Sequence, residues 1–230
     1  DYVERMKDWQ TDIYVFAGQK VEDMEKSHFM ERFIEKDVEV LYLTDPVDEY
    51  MTQAMRDYDG KKFTAISKEG IKFKDEDEDL VKRREKAYKT KFKPLTKWLN
   101  KLYGPSVMRV SISKRLGKAP AIVSSAEYGH SANMERIMRA QAFQHGMKDD
   151  SMMRAMRVLE INPRHPFIEK LLDGCPPEED GDDFDVEESV KDSAWLLYDM
   201  ALMNGGFPID DPDKYSVRMT KVLSGIMGVD

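Results

Sequence analysis

The chain is poor in the patterns that most directly reveal chemistry. Cys175 is its only cysteine, so no internal disulfide can form, and thiol content says nothing of redox compartment. No stretch approaches the ~18 consecutive apolar residues of a membrane span. Glycine-rich dinucleotide fingerprints, phosphate loops and nucleophile elbows are all missing. The four histidines, His28, His130, His145 and His165, show neither an HExxH pair nor cysteine partners. No metal ligand set is therefore expected, and His28 and His165 read as residues of surface turns. A net positive charge is also lacking: the formal net charge is -8, which argues against a nucleic-acid partner, because phosphates require a cationic footprint. Carboxylates are plentiful but sit in charge runs, so no catalytic residue is expected. The opening residues Asp1 to Gln10 are charged and amphipathic, unlike a signal peptide. The pattern starts mid-element, as an excised fragment would.

What is present is charge of both signs and enough apolar residues for two cores. Charged residues make up 35% and aromatics 10% of 230 residues, a length comfortable for two domains. Residues 1–73 alternate helix and strand. Val3, Met6 and Trp9 suggest a short helix, and Ile13–Tyr14–Val15–Phe16 a strand ending at Gly18. Phe29, Phe33 and Ile34 mark a second helix. Val38 to Leu43, mostly apolar, reads as the best strand of the chain and predicts one buried on both faces. Asp45–Pro46 supplies an N-cap and first-turn proline for a helix over 47–57. Asp59–Gly60 forms a turn before Phe63–Ile66. These elements predict an α/β unit, a small three-layer βαβα arrangement with a largely parallel sheet.

Residues 74–105 begin with the acidic run Asp75 to Asp79 and continue into lysines and arginines. Acid first and base later suits a helix dipole, so the segment reads as a solvated linker helix rather than a lipid or nucleic-acid patch. Residues 106–230 predict an α+β domain. The alternation around Val107 to Ile112, the Gly117 turn and Ala121–Ile122–Val123 suggest an antiparallel hairpin. A helix then starts near Ser131, with Glu135 placed for a capping box or a near variant of it. Its residues Met134, Ile137, Met138, Gln141 and Ala142 share one side. Six methionines, at 134, 138, 147, 152, 153 and 156, crowd this region, and methionine suits surfaces that accept varied partners. The stretch Met147 to Met156 reads as a mobile loop. Cys175 to Asp185 reads as a disordered acidic linker without the spacing of a calcium loop.

Two apolar helices close the chain. Residues 193–203 are apolar nearly all round, including Trp195, Leu197, Tyr198 and Leu202, and Gly205–Gly206 caps them. Asp211–Pro212 opens the last helix, where Tyr215, Met219, Val222, Leu223 and Ile226 form one stripe. So much apolar surface calls for a helical bundle shared between two chains.

Three segments carry a family resemblance. Glu39–Val40–Leu41–Tyr42–Leu43–Thr44–Asp45–Pro46–Val47–Asp48–Glu49–Tyr50, Asn133 to Ala142 (NMERIMRAQA) and Leu159–Glu160–Ile161–Asn162–Pro163 resemble, in order, signatures of the heat-shock protein 90 chaperones. Phe92–Lys93–Pro94–Leu95 with Trp98, and Pro163–Arg164–His165–Pro166, are most similar to the endoplasmic-reticulum branch of that family. The resemblance covers nearly the whole chain. It implies the end of a middle domain up to about residue 73, followed by a C-terminal dimerisation domain. It also implies that the ATP and Mg site lies upstream, leaving this segment without cofactor or ATPase activity of its own. Implied partners are a second copy, client proteins and possible co-chaperones, with no nucleic acid or membrane. The implied client surface comprises Met134, Ile137 and Met138, with Tyr128 and His130, the latter standing where the family has tryptophan. The implied compartment is the endoplasmic-reticulum lumen, with the cytoplasm as alternative, since no retention tetrapeptide or co-chaperone peptide follows Asp230. A purely structural dimeriser and an enzyme with an unrecognised site in residues 1–73 are the competing readings.

Overall fold

The computed structural model describes residues 1–55, 57–144, 154–177 and 185–229. The chain opens with α1 (Tyr2–Arg5), β1 (Asp12–Ala17), α2 (Val21–Glu25), a 3-10 turn at His28–Met30, and α3 (Glu31–Glu35). Then come β2 (Leu41–Leu43), α4 (Pro46–Ala54), β3 (Asp57–Tyr58) and β4 (Lys61–Ala65). The four strands form one sheet in the order β2-β1-β4-β3, with β1 parallel to both β2 and β4, and β3 antiparallel to β4. The central strand is β1, whose Ile13, Tyr14, Val15 and Phe16 are all buried. The run from Val38 to Leu43 is not the doubly buried strand its composition suggests. Only Leu41–Leu43 pairs, at the sheet edge and half-exposed, while Val38 and Val40 are spent on the core before the strand begins. Asp59 and Gly60 both take positive φ, 53° and 71°, the left-handed pair that a two-residue hairpin turn requires. Asp45 caps α4, its carboxylate accepting from the Val47 N–H at 3.1 Å with Pro46 in the first turn.

The next helices are α5 (Glu78–Lys91) and α6 (Lys93–Tyr103). The first, capped by the Asp77 carboxylate, buries no residue. The second buries Leu95, Leu99 and Tyr103 at fourfold spacing. Beyond lie β5 (Arg109–Ile112), β6 (Ala121–Ser125), α7 (Ala132–Gln144) and β7 (Arg157–Ile161). Here the expected hairpin is corrected. Strands β5 and β6 do not pair: β7 lies between them, parallel to β5 and antiparallel to β6. Arg157 to Ile161 is buried at every position, so it takes the sheet centre, and the 113–120 loop must cross over it rather than turn tightly.

The chain ends with α8 (Pro166–Asp173), α9 (Glu188–Asn204) and α10 (Pro212–Met227). One core packs α6, α8 and α9 on the second sheet, centred on Leu99, Tyr103, Val123, Leu159 and Tyr198. A second core draws on both halves of the chain, joining Phe29, Met30 and Phe33 to Leu116, Ala119 and Ile122. Arg115, 5% exposed, pins this joint. Its guanidinium pairs with Glu160 at 2.6 Å, donates to the Ile66 carbonyl and lies 4.6 Å over the Phe29 ring.

Candidate interaction site

The start of α7 is fixed by buried polar contacts that reach in two directions. Ser131 Oγ accepts from the Met134 N–H at 3.0 Å, the expected cap. Ser131 Oγ also donates to Glu49 of α4, and Asn133 Nδ2 donates to the other Glu49 oxygen at 3.1 Å. Glu135 does not turn back to complete a capping box. Its carboxylate, 2% exposed, pairs instead with Arg157 at 2.8 Å. Arg157 spends its remaining nitrogen on both oxygens of Asp210, at 3.0 and 3.1 Å, and stacks 4.9 Å over Phe207. Asp210 also accepts from Tyr198 Oη at 2.9 Å. This network ties α7, β7, α9 and the segment before α10 into one block. Burial would strip Arg157 of charge, but Glu135 and Asp210 outweigh it and drive its pKa upward.

The residues expected on the client face separate. Met134 is enclosed at 1% exposure, so it is a core residue of this chain rather than an open contact. Its place in the capped, ion-paired first turn accounts for that. Ile137 and Met138 are half-exposed, His130 is exposed, and Tyr128 stands out at 83% exposure. The expected mobile loop from Met147 lies outside the described residues up to Ser151, Met152 and Met153. Its last member is described: Met156 is half-buried, and its carbonyl accepts from the Ala126 N–H at 2.9 Å. Histidine 145 and the acidic residues 178–184 also lie outside the described set.

The two terminal helices, expected to share one seam, behave differently. In α9, Leu197, Tyr198 and Leu202 are 1% exposed or less and pack on the chain's own sheet. Their side chains are thus enclosed within one chain. Trp195 is half-buried, edge-on to Tyr103 at 5.2 Å and to Tyr198 at 6.0 Å. The helix ends in a glycine-dependent motif. Phe207 N–H bonds back to Leu202 O and Gly206 N–H to Met203 O, with Gly206 at φ 79°. Gly205 is required for another reason, since a Cβ there would lie 2.1 Å from the Val123 carbonyl oxygen.

Helix α10 buries nothing. Tyr215 and Met219 are half-buried, while Val222, Leu223 and Ile226 are 36%, 54% and 75% exposed, continuous with Met227 at 75%. Its ties to α9 are polar. Arg218 bonds Asp199 at 3.2 Å and lies 5.0 Å over Trp195, and Lys221 pairs with Asp192. Asp199 is only 4% exposed. Burial pushes its pKa up to about 6, although Arg218 pulls the other way.

Sequence reasoning missed the polar anchors Glu49, Arg115, Arg157 and Asp210. The one signal available was Glu160, which interrupts the apolar run from Val158 to Ile161; Glu49 and Glu135 stand beside other charges, Asp48 and Arg136.

Comparison with known proteins gives a consistent result. The family profile described as Hsp90 protein matches residues 1–230. Among similar curated proteins, the Endoplasmin homolog of Arabidopsis thaliana is 43% identical over 98% of this chain and 26% of its own length. The Endoplasmin homologs of Catharanthus roseus and Hordeum vulgare are 44% and 43% identical, each over 94% of this chain and 25% of their own length. The chain thus spans about a quarter of the length of these relatives.

Proposed function

We propose, on the premise that this chain belongs to the Hsp90 protein family, that it is the dimerising, client-contacting module of an endoplasmin-like chaperone. The observation that carries this reading is the unpartnered apolar stripe of α10. Val222, Leu223, Ile226 and Met227 stand in solvent as one continuous stripe, while α9 beside them buries Ala194, Leu197, Tyr198, Ala201 and Leu202. Removing several such side chains from water contributes ~1.5–3 kcal/mol each, enough to offset association if a second copy supplies the same face. Trp195, Tyr215 and Met219 border that stripe, and Leu197, Tyr198 and Leu202 support it from within.

Clients, in this reading, meet the surface formed by Tyr128, His130, Ile137 and Met138, with Met134 as its buried support. No reaction is assigned to these residues. ATP and Mg belong to the part of the relatives that this chain does not span, and the endoplasmic-reticulum lumen is the compartment their name favours. Residues 1–73 then form the end of a middle domain, 74–105 a charged linker and 106–230 the dimerisation domain.

Static light scattering at tens of micromolar, a range suited to a mid-affinity dimer, tests the central claim. The chain should scatter as a dimer and Leu223→Asp as a monomer, because the aspartate places a charge in the seam. A monomeric parent chain refutes the assignment.

A further inference from the structure

A second feature is independent of the chaperone reading. A cleft of about 420 Å³ lies between the segment before α5, the inner side of α5, and the ends of β5 and β7. That volume is within the range of small-ligand sites. Its walls are of two kinds. Ile71, Val81, Tyr88, Ile112 and Pro163 supply apolar surface from four separate parts of the chain. Of the eighteen lining residues, eight are lysine or arginine and three are glutamate, the reverse of a chain whose net charge is -8.

The three glutamates are already neutralised. Glu76 pairs with Arg32 and Lys36 outside the cleft, Glu78 with Lys82 at 2.9 Å, and Glu85 with Lys114 at 2.6 Å. Arg115 is held by Glu160. Among the described residues, Lys72, Lys74, Arg84 and Lys89 on this lining form no salt bridge. A half-enclosed apolar floor under a surplus of unpaired cations is complementary to a molecule that is greasy at one end and anionic at the other.

The aromatic rings narrow the class. Phe73 is occupied by edge contacts to Trp9 and Phe33, and by Lys36 over its face at 5.2 Å. Tyr88 leans on Phe92. No pair of free parallel faces is left to sandwich a planar base, whereas the aliphatic floor suits a flexible chain. We propose that this cleft binds a small amphipathic anion, an alkyl or acyl chain ending in a phosphate or carboxylate. Lys72 and Lys89 would contact its head and Val81 its tail. Because the floor is shared by the tail of the first half and the body of the second, occupancy would also brace the joint pinned by Arg115.

The test is calorimetric titration of the chain with dodecyl phosphate, below its micellar concentration, with dodecanol and inorganic phosphate as controls. Two variants accompany it: the double reversal Lys72→Glu with Lys89→Glu, both exposed, and Val81→Trp, which fills the floor from a helix that buries nothing. The expected result is one saturable site that neither control reproduces, weakened about tenfold or more in both variants. Binding unchanged in either folded variant, binding matched by inorganic phosphate, or uptake at many sites indifferent to the substitutions would each overturn the proposal. Should one variant fail to fold, the other decides.

Discussion

Glu135→Ala is the sharpest test of how the interaction surfaces are held. The carboxylate and Arg157 are 2% and 1% exposed and bonded at 2.8 Å, with a second contact at 3.2 Å. A solvated pair would contribute at most ~1 kcal/mol. A buried one behaves differently, because deleting one partner leaves the other charge desolvated, a loss of ~3–5 kcal/mol. Asp210 still faces Arg157 at 3.0 Å, which argues for the lower end of that range. At ~2–4 °C per kcal/mol for a chain of this size, the melting temperature should fall by roughly 6–12 °C. Adding Arg157→Met should recover part of the loss, since two apolar groups need no partner. Urea and thermal unfolding of the two variants beside the parent chain measure this. A Glu135→Ala loss under about 1 kcal/mol, or no recovery in the double variant, refutes the claim that the pair is a buried anchor.

Further outcomes follow from the same coordinates. Met134→Ser should cost ~2–5 kcal/mol, as for a methionine in a core. Met138→Ser should barely change the melting curve while reducing suppression of client aggregation; equal thermal losses would put both residues in the core. Gly205→Ala drives a Cβ to 2.1 Å from the Val123 carbonyl oxygen and should cost ~1–3 kcal/mol by overpacking, read as a lowered urea midpoint. Asp199, with a native pKa raised to about 6 and a lower value when unfolded, gains protons on folding in the window between them. Its contribution is therefore greatest at low pH and is lost as pH rises through 6. Between pH 7 and pH 5 the parent chain should gain about 1 kcal/mol relative to Asp199→Asn, and a pH-independent difference between the two would refute the assignment.

Local chemistry was legible in the sequence and long-range pairing was not. Asp45–Pro46, Asp211–Pro212, Ser131, Asp59–Gly60 and Gly205–Gly206 each act within a few residues, and each helix start, turn or cap lies where those residues place it. The hairpin failed because the partner of both β5 and β6 arrives only at Arg157, and periodicity carries no information on strand order. Glu135 stands one residue past the capping-box position after Ser131, and a buried guanidinium far along the chain takes its carboxylate. Helices α9 and α10 both read as apolar. Only packing distinguishes them: α9 meets the sheet through Ala194, Leu197, Tyr198, Ala201 and Leu202, which leaves α10 to present its face outward.

The two proposed interaction surfaces therefore differ in how firmly they are mounted. The α7 surface rests on charges that are fully enclosed, Glu49 from α4 on one side and Glu135 with Arg157 on the other. Such contacts tolerate little displacement, because any opening leaves a desolvated charge unpaired. The first two family signatures meet at this construction, and the third acts at the joint between the two halves. The first supplies Glu49, the second Asn133 and Glu135, and the third Glu160, which holds Arg115 at the joint. Helix α10 has no comparable mounting. Arg218 fastens it to the buried Asp199 and Lys221 to Asp192, and no apolar residue of its own is buried to hold it. Its position is thus set in large part by whatever covers Leu223 and Ile226. A dimer partner would fix α10, and through Asp199 and Tyr198 that constraint reaches Asp210 and Arg157, the residues that brace α7. Any coupling between the two proposed surfaces would run along this chain of contacts rather than through proximity, and it would pass through the Arg218–Asp199 pair, whose carboxyl group burial pushes up to about 6.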